Sequence, residues 1–120
     1  MPKFSLDQVK SLIQQALDGD RSKVWFSGRS RSIDYVIFVY QGTESEAEFL
    51  ILQGLLKLQP RDYARSVVMV TKPEVIVADE YGLEQYQGHN WYIKFLIQVD
   101  DGEVSLTSIS FHRSKKSMQI

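Results

Sequence analysis

The sequence predicts an α+β fold in which helices come first and pack on a largely antiparallel sheet supplied by the second half of the chain. Three observations carry that expectation. Early apolar residues recur at helical spacing, in "FSLDQVKSLIQQALDG" and "EAEFLILQGLLKL". The later segments "SVVMVT", "EVIVADEY", "NWYIKFLIQV" and "EVSLTSISFH" are rich in β-branched and aromatic residues. Asp101-Gly102 separates the last two, and such a pair favours a two-residue hairpin turn whose central positions need positive φ. Helices and strands segregated in this way argue for α+β over alternating parallel units. Residues 1–120 are expected to form one domain, a length sufficient for one core.

In the first helix Ser5 caps the N-terminus, Gln8 completes a capping box, and Phe4 with Val9 suits a hydrophobic staple. Leu6, Val9, Leu12, Ile13, Ala16 and Leu17 make one apolar stripe, and Gly19 suits the C-terminal stop. Residues 20–32 are polar and basic around a short apolar island, Val24, Trp25 and Phe26. "IDYVIFVYQ" (33–41) has the composition of a strand, while its periodicity also admits a buried helix. Thr43 with Glu46 forms a second capping box, and Glu44 and Glu46 lie where the helix dipole favours acids. The helix that follows is apolar enough to be central. Pro60 breaks it, and "RDYARS" reads as one or two further helical turns. With Asp101-Gly102 as the loop, Asp100 faces Glu103. The same register sets Trp91 opposite His112 and Tyr92 opposite Phe111, with Lys94 on the face of Tyr92.

Hydrophobic residues at 43% and charged residues at 24% are ordinary for a soluble globular chain. No apolar run approaches the roughly 20 residues needed to span a bilayer, and no secretory apolar region opens the chain, so no membrane partner and a cytoplasmic location are expected. The absence of cysteine excludes disulfides, thiolate zinc sites and cysteine nucleophiles. Two histidines exclude a histidine-rich metal site, and no cofactor is expected. The serine-hydrolase elbow, the phosphate-binding loop and the zinc-protease helix motif are all missing.

Net charge is −1, so there is no global signal for nucleic acid. The distribution is uneven. Arg21, Lys23, Arg29 and Arg31 cluster early, and Arg113, Lys115 and Lys116 cluster at the end. Residues 32–111 hold twelve acids against five bases, a net −7. If the two basic clusters meet, they form a cationic patch on an acidic body; otherwise both are solvated loops.

Six stretches occur in one order: "SLDQVKSLI", "RS" at 31–32, "LQPRDYARS" at 58–66, "DEY" at 79–81, "YIKF" at 92–95 and "SFHRSKK" at 110–116. Together they resemble the MqsR family of toxins from type II toxin–antitoxin pairs. That family's pattern runs L-x-x-V-K, R-S-A, L-x-x-x-D-F-x-K-S, W-Q-D-V-Y, Y-x-K and S-F-K-x-K. The resemblance implies a RelE-like fold, metal-independent endoribonuclease cleavage of messenger RNA, and an antitoxin protein as partner. It also implies a helix over 33–41. A homodimer is an assembly this reading allows. This chain has Arg65 and His112 where the family has lysines, and Ala78 where it has glutamine; Tyr92 and Lys94 stand in Y-x-K.

Metal-free RNA cleavage needs a group to deprotonate the 2′-hydroxyl, donors for the phosphate charge, and an acid for the leaving 5′-oxygen. His112 is the acid–base candidate, because imidazole titrates nearest neutrality. Arg65 and Arg113 offer planar donors that suit phosphate, and Tyr92 can stack on a base or donate its hydroxyl. Lys94, Arg29, Arg31, Lys115 and Lys116 are expected to bind RNA, with Trp91, Tyr81 and Tyr86 as further stacking surface. Bland readings stand beside these. His112 can end a strand in solvent, His89 can be a turn residue, Arg65 can pair with Asp62, and Lys115 and Lys116 can form a tail. Asp79 and Glu80 are adjacent strand residues, so they face opposite ways and do not make a carboxylate pair. The functional alternative is a non-catalytic interaction module that keeps the scaffold without the site. The missing glutamine and the replaced lysines favour it, and the histidine beside an arginine favours the enzyme.

Overall fold

The computed structural model describes residues 2–26, 43–70 and 75–113. Among these, two α-helices and a five-stranded mixed sheet form an α+β arrangement. Helix α1 spans Leu6–Leu17 and α2 spans Glu44–Leu56. The strands are β1 (Val24–Phe26), β2 (Tyr63–Val70), β3 (Ile76–Tyr86), β4 (His89–Asp100) and β5 (Glu103–Arg113), in the order β1-β5-β4-β3-β2. Strands β2 to β5 are antiparallel neighbours, while β1, the short apolar island, runs parallel to β5 and makes the sheet mixed. Residues 33–41, expected as helix from the family resemblance, lie outside the described residues.

Local signals set both helix starts. Ser5 Oγ accepts the Gln8 N–H, and Thr43 and Glu46 exchange both bonds of a capping box. Val9, Leu12, Ile13 and Ala16 of α1 and Ala47, Ile51, Leu52 and Leu55 of α2 are buried. All of these but Ala16 join Tyr81, Leu83, Trp91, Ile93, Phe95, Ile109 and Phe111 in one core cluster, so both helices cover one sheet face. Gly54 lets α2 approach closely: a Cβ there would stand 2.8 Å from Tyr86 Cε2 and 3.1 Å from Phe111 Cζ.

Pro60 opens a single 3-10 turn, Pro60–Asp62, and strand β2 follows at once. Tyr63 to Ser66 are therefore strand, contrary to the helical turns expected there, because pairing with β3 outweighs a weak local preference. His89 is the first residue of β4 rather than a turn residue. The turn itself is Gln87-Gly88, both at positive φ.

The Asp101-Gly102 turn forms as expected, with φ of 52° and 79° and Asp100 paired with Glu103. Further along, the register shifts. From Leu96 back to Lys94 β4 moves two residues, while β5 moves three, from Thr107 to Ser110. This β-bulge puts Tyr92 opposite His112 and Trp91 opposite Arg113, one residue away from the register that the turn alone implies.

Candidate functional site

The face of the sheet away from the helices carries the candidate site. Directly paired residues of antiparallel strands share a face, as do residues two apart on one strand. Arg65 pairs with Glu80, Glu80 with Lys94, Lys94 with Ser110, and Tyr92 with His112. Arg65, Glu80, Tyr92, Lys94 and His112 therefore lie on one face, contributed by four consecutive strands. Core residues alternate with them, so the pleat separates this row from Tyr81, Ile93 and Phe111.

Contacts run across the row. Arg65 Nε donates to Glu80 Oε1 at 2.7 Å, and the Tyr92 hydroxyl donates to Glu80 Oε2 at 2.5 Å. The Tyr92 ring stacks on the His112 imidazole, with centroids 4.7 Å apart and planes 24° from parallel. Gly82, directly opposite Tyr92, carries no side chain to intervene between that ring and Glu80. Glu80 is 4% exposed, whereas Arg65 and His112 are exposed and Tyr92 and Lys94 are half-buried. The row is thus a buried carboxylate beneath a cationic and aromatic rim.

The electrostatics follow from this burial. Desolvation first, then the hydrogen bond to Glu80 and its charge, push the Tyr92 hydroxyl well above the ordinary phenol range. The same carboxylate, chiefly through its hydrogen bond, raises the pKa of Arg65. Arg65 is thus a fixed cation, and Tyr92 is a hydroxyl that keeps its proton.

The expected site is assembled in part. Arg65, Tyr92 and His112 are brought onto one face, with Lys94 beside them. Arg113 pairs across from the buried Trp91, so the pleat points it to the helix-covered face, away from His112. Two cavities among the described residues, of about 790 and 350 Å³, are lined by other residues, around Lys57, Arg61 and Gln85 and around Phe4, Pro60 and Tyr81. Trp91, Tyr81 and Tyr86 are buried in the core and offer no stacking surface. Trp91 Nε1 donates to the Tyr86 carbonyl, and the Tyr86 hydroxyl donates to the Leu50 carbonyl. Arg65 pairs with Glu80 rather than Asp62. Arg29, Arg31, Lys115 and Lys116 lie outside the described residues.

Glu80 is the site member that sequence reasoning passed over. Its one signal was an acid in the middle of a β-rich segment, "EVIVADEY", where a central strand ordinarily carries apolar residues. Its neighbour Asp79 is 0% exposed and has a different task. It accepts the N–H groups of Lys3 and Phe4 at 3.0 and 2.9 Å and the Ser66 hydroxyl at 2.6 Å. That anchors the segment leading into α1 to the middle of the sheet. As alternation requires, the two carboxylates serve opposite faces.

Among the described residues no helix is long and apolar enough to cross a membrane. Comparisons of the chain with protein-family models, curated proteins and solved structures find no match.

Proposed function

We propose that this protein is a metal-independent endoribonuclease of the toxin type, resembling the MqsR family, which cleaves messenger RNA and is neutralised by an antitoxin protein in the cytoplasm. The observation that carries the reading is the shared face of Arg65, Tyr92 and His112, drawn from three strands. These are the positions at which the sequence lines up with the family's basic and tyrosine residues. Ala78, aligned with the family's glutamine, falls on the same face by register.

The chemistry is assigned to side chains present there. The Arg65 guanidinium uses Nε for Glu80 and turns its terminal nitrogens to a phosphate oxygen. Lys94 adds a second cation from the adjacent strand. His112 protonates the leaving 5′-oxygen. The stack of Tyr92 on His112 orients the imidazole and leaves it exposed to substrate.

A second reading has its own observation. Ala78 brings no polar group to the face, and Arg65 is already paired with Glu80, as expected of a scaffold retained for protein binding without catalysis. RNA cleavage in EDTA separates the two. Wild type is expected to cleave a messenger transcript, and His112→Ala to lower the rate about 10²–10⁴-fold with its circular dichroism unchanged. No cleavage of any transcript by antitoxin-free wild type would select the non-catalytic module.

A further inference from the structure

We infer that Glu80 is the proton acceptor behind Tyr92: the ribose 2′-hydroxyl is deprotonated through the Tyr92 oxygen into the Glu80 carboxylate. The inference rests on the reading of this face as an RNA-cleaving site and deepens it by assigning the base.

Burial of a carboxylate in the middle of a sheet is unfavourable unless its oxygens are bonded. Asp79 shows what a structural reason for such burial looks like, since it ties down a distant backbone segment. Glu80 has no such task in the described contacts. Both of its oxygens serve site groups, one for Arg65 and one for Tyr92. An O–H···O distance of 2.5 Å to a carboxylate is at the short end of charge-assisted hydrogen bonds. Because Tyr92 donates its own proton inward, the remaining lone pairs of its oxygen are open to a second donor. Its raised pKa fits this arrangement, since such a phenol passes a proton along and does not stand as free phenolate.

The step balances. The 2′-hydroxyl gives its proton to Tyr92 Oη as the original Tyr92 proton moves to Glu80 Oε2. The 2′-oxygen forms its bond to phosphorus, and the bond from phosphorus to the 5′-oxygen breaks. The leaving 5′-oxygen takes a proton from protonated His112. The products are a 2′,3′-cyclic phosphate and a 5′-hydroxyl, with Glu80 and His112 both neutral until they exchange protons with solvent. Protonation of Glu80 also cancels the charge that holds Arg65, so the guanidinium becomes available as negative charge builds on the phosphorane. Among the described residues, the titratable and charged groups facing Glu80 are Arg65 from β2 and Tyr92 and Lys94 from β4, with His112 of β5 beyond Tyr92.

The test compares wild type, Glu80→Gln, Tyr92→Phe and the double variant on one RNA oligonucleotide taken from a mapped cleavage site. Glutamine still accepts from Tyr92 but cannot take its proton, while Tyr92→Phe leaves the Arg65–Glu80 pair in place and covers a misfolding Glu80→Gln. Each single variant is expected to lower kcat about 10²–10⁴-fold. The double variant should be no slower than either single one. Ultraviolet titration gives a readout independent of cleavage: the Tyr92 phenol should ionise at lower pH in Glu80→Gln. Wild-type cleavage with an unaltered kcat in both single variants overturns the relay and leaves the endoribonuclease reading standing. Failure of wild type to cleave any RNA removes both.

Discussion

Tyr81 and Tyr92 sit on adjacent strands, and desolvation raises the pKa of both hydroxyls, yet among the described residues only one has a hydrogen-bond partner. Tyr92 donates to Glu80, whereas the buried Tyr81 hydroxyl has no hydrogen-bond partner among the described residues. Desolvation first, then the charges of Asp79, Tyr63 and Asp62, push the Tyr81 phenol up to about 12. An unsatisfied buried hydroxyl costs stability, so Tyr81→Phe is expected to raise the unfolding free energy by about 1 kcal/mol in urea titrations at neutral pH. The alkaline behaviour follows from the same shift. The phenol ionises near pH 10 in the unfolded chain and only near 12 in the folded one. Its neutral form therefore supports folding below pH about 10, and that support is lost as pH rises toward 12. The wild type should lose on the order of 2 kcal/mol more than Tyr81→Phe across that window. Equal losses in both proteins would show that the hydroxyl is solvated.

Two elements set the geometry of the site. The first is the bulge in β5, which moves His112 by one residue relative to β4 and so brings it under Tyr92. The turn at Asp101-Gly102 anchors the near end of the same hairpin. Gly102→Ala places a side chain at positive φ and should lower stability by about 1 kcal/mol, read from the thermal midpoint. The second is the contact of α2 with the sheet. Gly54→Ala would push a methyl group into the rings of Tyr86 and Phe111, which come from β3 and β5. Overpacking of this kind costs about 1–3 kcal/mol, and loss of RNA binding only in parallel with folding is the expected companion result.

For the whole molecule, charge and anchoring decide more than shape. A net charge of −1 gives RNA no long-range attraction, so binding should depend on the few cations of the row. Arg65→Ala and Lys94→Ala are each expected to reduce the slope of log affinity against log salt by about 1, measured with uncleavable 2′-deoxy RNA. An unchanged slope in both would place the RNA on another surface. Asp79 holds the segment before α1 onto the sheet through two backbone N–H groups and Ser66. Asp79→Ala leaves those donors unpaired and should cost about 2–3 kcal/mol, with faster hydrogen exchange at Lys3 and Phe4.

Much of the architecture was legible in the chain, because it depends on interactions between near neighbours. The caps at Ser5 and Thr43, the apolar stripe of α1 and the turn at Asp101-Gly102 are local chemistry, and each lies where the sequence puts it. Strand alternation also sufficed to send Asp79 and Glu80 to opposite faces. The site was legible only as residue types. Arg65, Tyr92 and His112 could be named, but not their arrangement, because a bulge changes register without leaving a mark in local composition. Only the packed sheet decided that Tyr63 to Ser66 extend rather than coil, since their hydrogen bonds go to a strand more than ten residues away. It also decided that Trp91, Tyr81 and Tyr86 are core, and that Arg113 leaves the face that His112 joins. Glu80 was the least legible. Its role comes from two partners that stand 15 residues before it and 12 after it in the chain and meet it only across paired strands.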